Sequence, residues 1–224
     1  MQVGKLSQMR VALIVAVLLA LAAAAFFLWQ GSSGADRSFG GSMEALPYKS
    51  DQPVTKFAKL EQVIDPAKFD YYAEIETSKG RIGIDLFEVE APNTVNSFVF
   101  LALHRYFEGI VFHRVIPGFV AQTGDPTGTG MGGPGYQLGL EVHPKLNYDR
   151  KGVLGMARTM DPNSNGSQFF ITYGPTPNLN QQYTIFGQVT QGMEVVENIN
   201  PTEGPTARRE RDRILSVKIL AKSK

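Results

Sequence analysis

The sequence predicts an all-β domain, folded as a closed antiparallel barrel or a sandwich, behind an apolar N-terminal segment. Short runs of alternating apolar and polar residues recur between Gly-rich turns, and only two segments have a helical pattern. Strands and helices do not alternate regularly, which disfavours a parallel, doubly wound sheet. A chain of 224 residues is long enough for one full-sized domain and a tail.

Composition excludes several classes of protein. The 22 Lys and Arg residues nearly balance the 21 Asp and Glu residues, which argues against nucleic acid held on a broad basic face. The chain contains no cysteine, so disulfide scaffolds, zinc–thiolate sites and cysteine nucleophiles are excluded. We therefore expect no nucleic-acid partner and no thiolate-bound metal.

The longest apolar run lies near the N-terminus. Val11–Leu28 contains no polar or charged residue, and Lys5 and Arg10 precede it. Eighteen apolar residues reach the lower part of the length range of membrane-spanning helices, and positive charge before the span favours a cytoplasmic N-terminus. We predict a cytoplasmic segment 1–10 and a transmembrane signal anchor over 11–29. A cleaved signal peptide remains the alternative, because the run contains four consecutive alanines. Either segment would deliver the remainder outside the cytoplasm, to the cell envelope or periplasm, or as a secreted protein if it is cleaved.

Residues 30–68 are interpreted as a linker and lead-in. Gln30–Gly41 is small, polar and rich in Gly and Ser, which is typical of a flexible linker. Three prolines between residues 42 and 68 break any long helix. The folded domain is predicted over 69–224.

The domain begins with a predicted hairpin and a helix. Tyr72–Thr77 and Arg81–Phe87 alternate apolar and polar residues around a Ser-Lys-Gly turn. Pro92 occupies the first turn of the following helix, and Gly109 is predicted to end it. Shorter strands follow, then a second short helix and a last strand: Ile110–Ile116, Phe119–Thr123, Gly152–Ala157, Gln168–Thr172, Thr184–Val189, helix Met193–Ile199 and strand Ile214–Leu220.

Several separated motifs resemble the cyclophilin family of peptidyl-prolyl isomerases. They are FHRVIPGFVAQTGD at Phe112–Asp125, GVLGMAR at Gly152–Arg158, PNSNGSQFFI at Pro162–Ile171, and Leu179 with Tyr183–Gly187. The loop RTMD, which begins at Arg158, resembles bacterial members. The resemblance implies a closed eight-stranded antiparallel β-barrel capped by two α-helices, and cis–trans isomerisation of X-Pro bonds, here assisting the folding of exported proteins.

The family reaction explains the residue types. Amide resonance imposes a barrier of about 20 kcal/mol on rotation of an X-Pro bond, and no bond is broken. A fixed cation aimed at the proline nitrogen stabilises the twisted state, so no cofactor or metal is expected. By resemblance, Arg114 is the catalytic cation, and Gln122 orients it and holds the substrate carbonyl. A guanidinium suits this role because it is always charged and holds its donors rigidly.

The resemblance also implies the substrate-binding residues. Phe119, Val120, Phe170 and Leu179 would form an apolar pocket for proline, and the backbone at Ala157 and Arg158 would pair with flanking residues as an edge strand does. His113, Gln168 and Tyr183 would complete the site. The expected partners are proline-containing polypeptides and, through the N-terminal segment, the membrane; the domain is expected to be monomeric.

Other interpretations carry less weight. Gly128–Gly133 fits the pattern G-x-G-x-x-G, but Pro134 follows where a helix should begin, so a surface loop is favoured over a dinucleotide site. Glu141 and His143 are too few for a metal site. The alternative function is a proline-motif binding module or a chaperone, with incidental catalysis.

Overall fold

The computed structural model of the chain describes residues 43–224. The predicted segments 1–10 and 11–29 and the predicted flexible linker Gln30–Gly41 lie outside the described residues. Between residues 43 and 224, no helix is both long enough and apolar enough to cross a bilayer.

Nine strands, two α-helices and one 3-10 helix make up the described part of the chain. In chain order they are β1 (Glu44–Ala45), β2 (Phe69–Thr77), β3 (Gly80–Leu86), α1 (Pro92–Leu103), β4 (Arg114–Ile116), β5 (Val120–Thr123), β6 (Val153–Met156), β7 (Phe169–Thr172), the 3-10 helix (Pro177–Leu179), β8 (Ile185–Gln191), α2 (Met193–Glu197) and β9 (Ile214–Ser223).

The strands form one antiparallel sheet in the order β1-β9-β2-β3-β8-β6-β7-β5-β4. The all-β class is therefore correct, but the predicted closed eight-stranded barrel is wrong. Across residues 43–224 the sheet has nine strands and is open, with β1 and β4 at its two edges.

The outer edge of β9 explains why the sheet does not close. At one end it pairs with β1, with Glu44 opposite Ala221. At the other end, the chain just before β4 contacts it through an isolated bridge, in which the Phe112 amide donates to the Asp212 carbonyl at 2.8 Å. The strand β4 begins only at Arg114, beyond this contact. In a closed barrel, β4 would pair along this edge of β9. Its two ends instead contact the two-residue strand β1 and the residues just before β4.

The β2–β3 hairpin follows the alternation of its sequence. Odd-numbered residues of β2 from Tyr71 to Thr77 are buried, and their even-numbered neighbours are partly exposed. The turn requires Gly80, whose φ of 129° is rarely adopted by residues with a side chain. Both strands of this hairpin begin and end within three residues of their predicted bounds.

Helix α1 begins at Pro92 as predicted but ends at Leu103, before the predicted stop at Gly109. Arg105 adopts a left-handed conformation with φ of 55°, and the Tyr106 amide donates to the Leu101 carbonyl at 3.0 Å. This bond closes the helix in the manner usually provided by glycine. The Arg105 side chain is held over the Tyr48 ring, with its guanidinium carbon 4.1 Å from the ring centre.

The other end of α1 is capped from a distant loop. Its preceding residue makes no side-chain capping bond. Instead, the Glu141 carboxylate accepts bonds from the backbone amides of Asn93 and Thr94 at 3.1 and 2.7 Å. A carboxylate at this end also complements the helix dipole. Glu141, which the sequence placed beside His143, therefore has a structural role.

Residues 43–68 lie along the domain. The Lys49 and Val54 amides donate to carbonyls at the end of α1, at 2.7 and 3.1 Å. The buried Asn96 side chain accepts from the Val63 amide at 2.8 Å. Ile64 is buried in the main core, and other apolar side chains of the segment pack against it.

Two apolar clusters fill the described domain. The larger contains the inner faces of β2, β3 and β9 together with most of α1, which is buried almost all round. The smaller cluster lies between β5, β6, β7, the start of β8 and the 3-10 helix. We call it the second apolar cluster; its buried members are Val120, Tyr148, Val153, Phe170, Leu179 and Ile185.

Candidate active site

The register of three strands brings the predicted catalytic residues together. Arg114 on β4 lies opposite Gln122 on β5, and Gln122 lies opposite Phe170 on β7. Residues opposite one another on neighbouring strands have adjacent side chains. The guanidinium, the amide and one aromatic ring of the second apolar cluster therefore occupy consecutive positions across the sheet.

Arg114 lies at the edge of the second apolar cluster. Its guanidinium carbon is 6.0 Å from the centre of the Phe119 ring, which packs against that cluster. Its side chain is 41% exposed, so an incoming peptide can reach it. Within residues 43–224, its only charged partner is Glu203, whose carboxylate accepts from Nε at 3.2 Å. This contact leaves the terminal nitrogens available to a ligand.

Sequence reasoning did not identify Glu203. Its neighbour Thr202 reaches the edge of β4, where the Thr202 hydroxyl accepts from the Val115 amide at 2.8 Å and the Thr202 amide donates to the Val115 carbonyl at 3.0 Å. Glu203 thus lies beside Arg114 because its backbone extends the sheet. No sequence motif marks this contact, which spans 89 residues.

A chain of amide hydrogen bonds fixes Gln122. Its Nε2 donates to Oε1 of Gln168 at 3.0 Å. The Gln168 Nε2 in turn donates to the carbonyls of Gly130 and Gly132 at 3.0 and 2.9 Å. Gln168, predicted as a substrate-binding residue, therefore connects Gln122 to the glycine-rich loop. The amide bonds hold Gln122 in one orientation on the strand next to Arg114.

The second apolar cluster contains the residues predicted to receive proline. Val120, Phe170 and Leu179 are buried members of it. Phe119, Ala157 and Tyr183 are partly buried and pack against it. The rings of Phe170 and Tyr183 meet edge to face with centres 5.9 Å apart. The residues predicted to receive proline thus lie in one apolar cluster, with Phe119, Ala157 and Tyr183 at its partly exposed rim.

The rim beside Ala157 is held by Arg158. The Arg158 guanidinium lies 4.9 Å from the centre of the Tyr183 ring, and its Nε donates to the Gln182 carbonyl at 2.8 Å. The Ala157 amide donates to the Gln168 carbonyl at 2.9 Å, so this end of β6 continues its pairing towards Gln168.

His113 lies beside the glycine-rich loop next to Arg114. Burial lowers the pKa of its imidazole, an effect that the nearby Asp125 carboxylate only partly opposes. A methyl group at Gly130 would stand 3.7 Å from the His113 ring, so the glycine-rich loop runs directly over it. The His113 ring thus lies directly beneath the loop.

Asp125 organises the glycine-rich loop. Its carboxylate is buried and accepts from the amides of Thr127, Thr129 and Gly130. Burial alone would raise the pKa of Asp125, but these hydrogen bonds outweigh it and lower the pKa to about 2. The motif Gly128–Gly133 is therefore a surface loop wrapped around a carboxylate, as the sequence analysis favoured.

A cavity of about 520 Å³ lies between this loop and the end of β6. Gln122, Ala157, Arg158 and Gln168 line it, so it adjoins the apolar pocket. In the part of the chain that the structure describes, no three His, Asp or Glu side chains are grouped to hold a metal ion. The site combines a fixed cation, an apolar pocket and an adjoining cavity, which suits a protein that binds an extended peptide.

Comparisons with known proteins agree with this geometry. The family model described as "Cyclophilin type peptidyl-prolyl cis-trans isomerase/CLD" matches residues 72–220. The chain belongs to this family, and residues 72–220 are its cyclophilin-type peptidyl-prolyl cis–trans isomerase domain. The family predicted from the motifs is confirmed.

Individual relatives differ in how much of them the chain covers. Peptidylprolyl isomerase domain and WD repeat-containing protein 1 of Mus musculus is 49% identical over 142 residues, which are 62% of this chain but only 22% of that protein. The chain thus spans about a fifth of that relative. Peptidyl-prolyl cis-trans isomerase A of Mycobacterium tuberculosis is 47% identical over 147 residues, 58% of this chain and 80% of that protein.

A solved structure covers the same region. The crystal structure of a cyclophilin-type isomerase from Cryptosporidium parvum superposes with a TM-score of 0.63 and 38% identity, covering 67% of this chain and 97% of that one. A second structure of that protein, determined in the presence of the dipeptide Ala-Pro, gives a TM-score of 0.61 and covers 65% of this chain and 96% of that one.

Proposed function

We propose that the whole chain acts as a peptidyl-prolyl cis–trans isomerase on X-Pro bonds of extended polypeptides, with Arg114 as the catalytic cation. The observation that carries this is the position of the guanidinium, partly exposed at the edge of the second apolar cluster and opposite Gln122. Proline would enter the pocket of Phe119, Phe170 and Leu179, which places its nitrogen within reach of the free Nη atoms.

The reaction needs charge placed where the twisted amide develops it. When the bond rotates out of plane, resonance is lost and the proline nitrogen regains its lone pair. A donor of Arg114 would bond to that lone pair more strongly than to the planar amide, so it lowers the barrier. Gln122 would hold the substrate carbonyl, and Ala157 would pair with the backbone next to the proline.

The test compares two arginines of similar setting. Arg114 and Arg81 both lie on strands, are partly exposed and donate from Nε to one glutamate at 3.2 Å. NMR exchange on an acetylated Ala-Pro peptide, with the full chain in detergent, should show that Arg114→Ala loses at least ~100-fold in kcat/KM. Arg81→Ala should retain the wild-type rate. Turnover by Arg114→Ala at the wild-type rate would refute the assigned role.

We further propose that the protein is held at a membrane with this domain outside the cytoplasm, where it acts on exported chains. The support is in the sequence, as eighteen apolar residues from Val11 to Leu28 follow two cations. We also propose that the chain is a bacterial-like member of the family, since the loop from Arg158 resembles bacterial members. The proposed oligomeric state is a monomer. Membrane fractionation, sequencing of the mature N-terminus and sedimentation of the purified chain test these three points.

A further inference from the structure

The lead-in segment forms part of the cavity beside the proline pocket. Lys56 lines this cavity together with the glycine-rich loop and Arg158. It lies outside the family match at residues 72–220, so this wall is an addition to the domain. Ala157 lines the cavity and packs against the second apolar cluster, and Gln122 lines the cavity and lies opposite Phe170 of that cluster. A peptide with proline at the cluster would therefore place a neighbouring side chain at the cavity.

Lys56 is fixed at the cavity by both its backbone and its side chain. Its Nζ donates to the Gly133 carbonyl at 2.8 Å, and the Phe57 amide donates to the Pro134 carbonyl at 2.8 Å. The Phe57 ring packs edge to face on Phe100 of α1, with centres 4.8 Å apart. The lysine is thus anchored to the domain rather than carried on an unattached strand.

The charged side chains that line the cavity are positive. Of the described residues lining it, Lys56 and Arg158 are charged, and neither Asp nor Glu is among them. Lys56 makes no ion pair within residues 43–224. An ammonium group has three donors, and the Gly133 carbonyl uses one. Two donors therefore remain for a ligand.

We propose that Lys56 is a specificity-determining residue. It makes the isomerase prefer substrate peptides that carry an acidic side chain within three residues before the proline or directly after it. The carboxylate would enter the cavity and pair with the Lys56 ammonium, with the Arg158 charge adding to the attraction. This inference rests on the proposed function. Because Lys56 is exposed, the expected preference is about two- to fivefold, the range of a solvent-accessible ion pair.

The experiment uses acetylated Ala-Pro peptides in which Glu, Gln or Lys is placed at each of the three positions before proline and at the one after it. The rate kcat/KM is measured by NMR exchange with the full chain. At one position or more, Glu should exceed Gln by about two- to fivefold and Lys should fall below Gln. The ratio should decline towards one in 1 M salt, which screens accessible charges.

Three variants assign the preference to the charge of Lys56. Lys56→Gln should bring the Glu/Gln ratio close to one, Lys56→Glu should invert it, and Lys56→Arg should keep it. Lys59→Gln is the matched control, since Lys59 is an exposed lysine of the same segment that does not line the cavity. It should leave the ratio at its wild-type value. Ratios taken within each variant cancel any general loss of folded protein.

Each outcome decides a different point. A wild-type ratio of one at all four positions overturns the inference, as does a ratio that Lys56→Gln leaves unchanged. If wild-type protein fails to turn over even the neutral peptides, the proposed function itself is refuted. Turnover of neutral peptides without an acidic preference refutes the role of Lys56 alone.

Discussion

The hydrogen bond between Gln122 and Gln168 provides a quantitative test of the site. Removing the Gln168 amide in Gln168→Ala breaks three hydrogen bonds, to Gln122, Gly130 and Gly132. A neutral hydrogen bond contributes about 0.5–1.5 kcal/mol net, and water can partly replace it at this half-buried position. We therefore expect a loss of about 1–3 kcal/mol in the free energy of unfolding. Gln122→Ala breaks one of these bonds and should cost about 1 kcal/mol.

The double variant isolates the bond that the two residues share. If it contributes as the 3.0 Å distance indicates, the effects of Gln122→Ala and Gln168→Ala on unfolding should fail to add by about 0.5–1 kcal/mol. Because Gln168 fixes Gln122, which we propose holds the substrate carbonyl, the effects on kcat/KM should also be non-additive. Urea unfolding and NMR exchange on all four proteins measure both quantities.

Gln188 is the matched control for this cycle. Its Nε2 donates to the Lys151 and Val189 carbonyls at 3.0 and 3.2 Å, and it lies outside the candidate site. Gln188→Ala should destabilise the protein by about 1 kcal/mol and leave kcat/KM unchanged. Strict additivity of Gln122→Ala and Gln168→Ala in both stability and rate would refute the positioning argument.

Three further predictions concern the cap, the pocket and the loop. Glu141→Ala should lower the free energy of unfolding by about 1–3 kcal/mol because it removes the cap of α1, and Glu141→Gln should recover part of this loss; urea unfolding measures both. Gly155→Ala should lower both stability and kcat/KM, since a methyl group there would collide with the Phe170 ring and the Tyr148 hydroxyl. Acid should remove about 2 kcal/mol of stability through Asp125: its folded pKa of about 2 lies below the unfolded value, so the contribution is complete above pH 4 and disappears as the pH falls towards 2.

Each of these has a contradicting result. Equal stability of Glu141→Ala and wild type would show that α1 does not depend on this carboxylate. Wild-type turnover by Gly155→Ala would show that the Phe170 ring can shift without harm to the pocket. For Asp125, the unfolding free energy is followed from pH 5 to pH 2 in wild type and Asp125→Asn, and parallel curves would contradict the linkage.

The sequence predicted elements whose pattern is local. The β2–β3 hairpin was recognisable from alternation and its glycine turn, and the start of α1 from Pro92. The predicted end of α1 was wrong because Arg105, rather than a glycine, takes the left-handed position that ends the helix. Arg105 is stabilised there by contacts with Tyr48 and Glu108, which no local sequence pattern reveals.

Long-range features could not be read from the chain. The closed barrel failed because whether an edge closes depends on which distant segments reach it, here Glu44–Ala45 and the residues just before β4. The strand β1 has only two residues and carries no alternation. Glu203 lies beside Arg114 through a backbone contact at Val115, so its side chain gives no signal of its own.

The pairing of β1 with β9 covers part of a long sheet edge, and exposed edges of this kind favour self-association. Strand β9 is ten residues long, and β1 covers one end of its outer edge through pairs such as Ala45 with Leu220. An uncovered edge of this kind presents unpaired amides and carbonyls to other molecules. Proteolytic trimming of the residues around Glu44 would therefore spare the catalytic groups yet leave a template on which a second molecule could add a strand. Aggregation during storage, rather than loss of turnover, would be the first effect of such trimming.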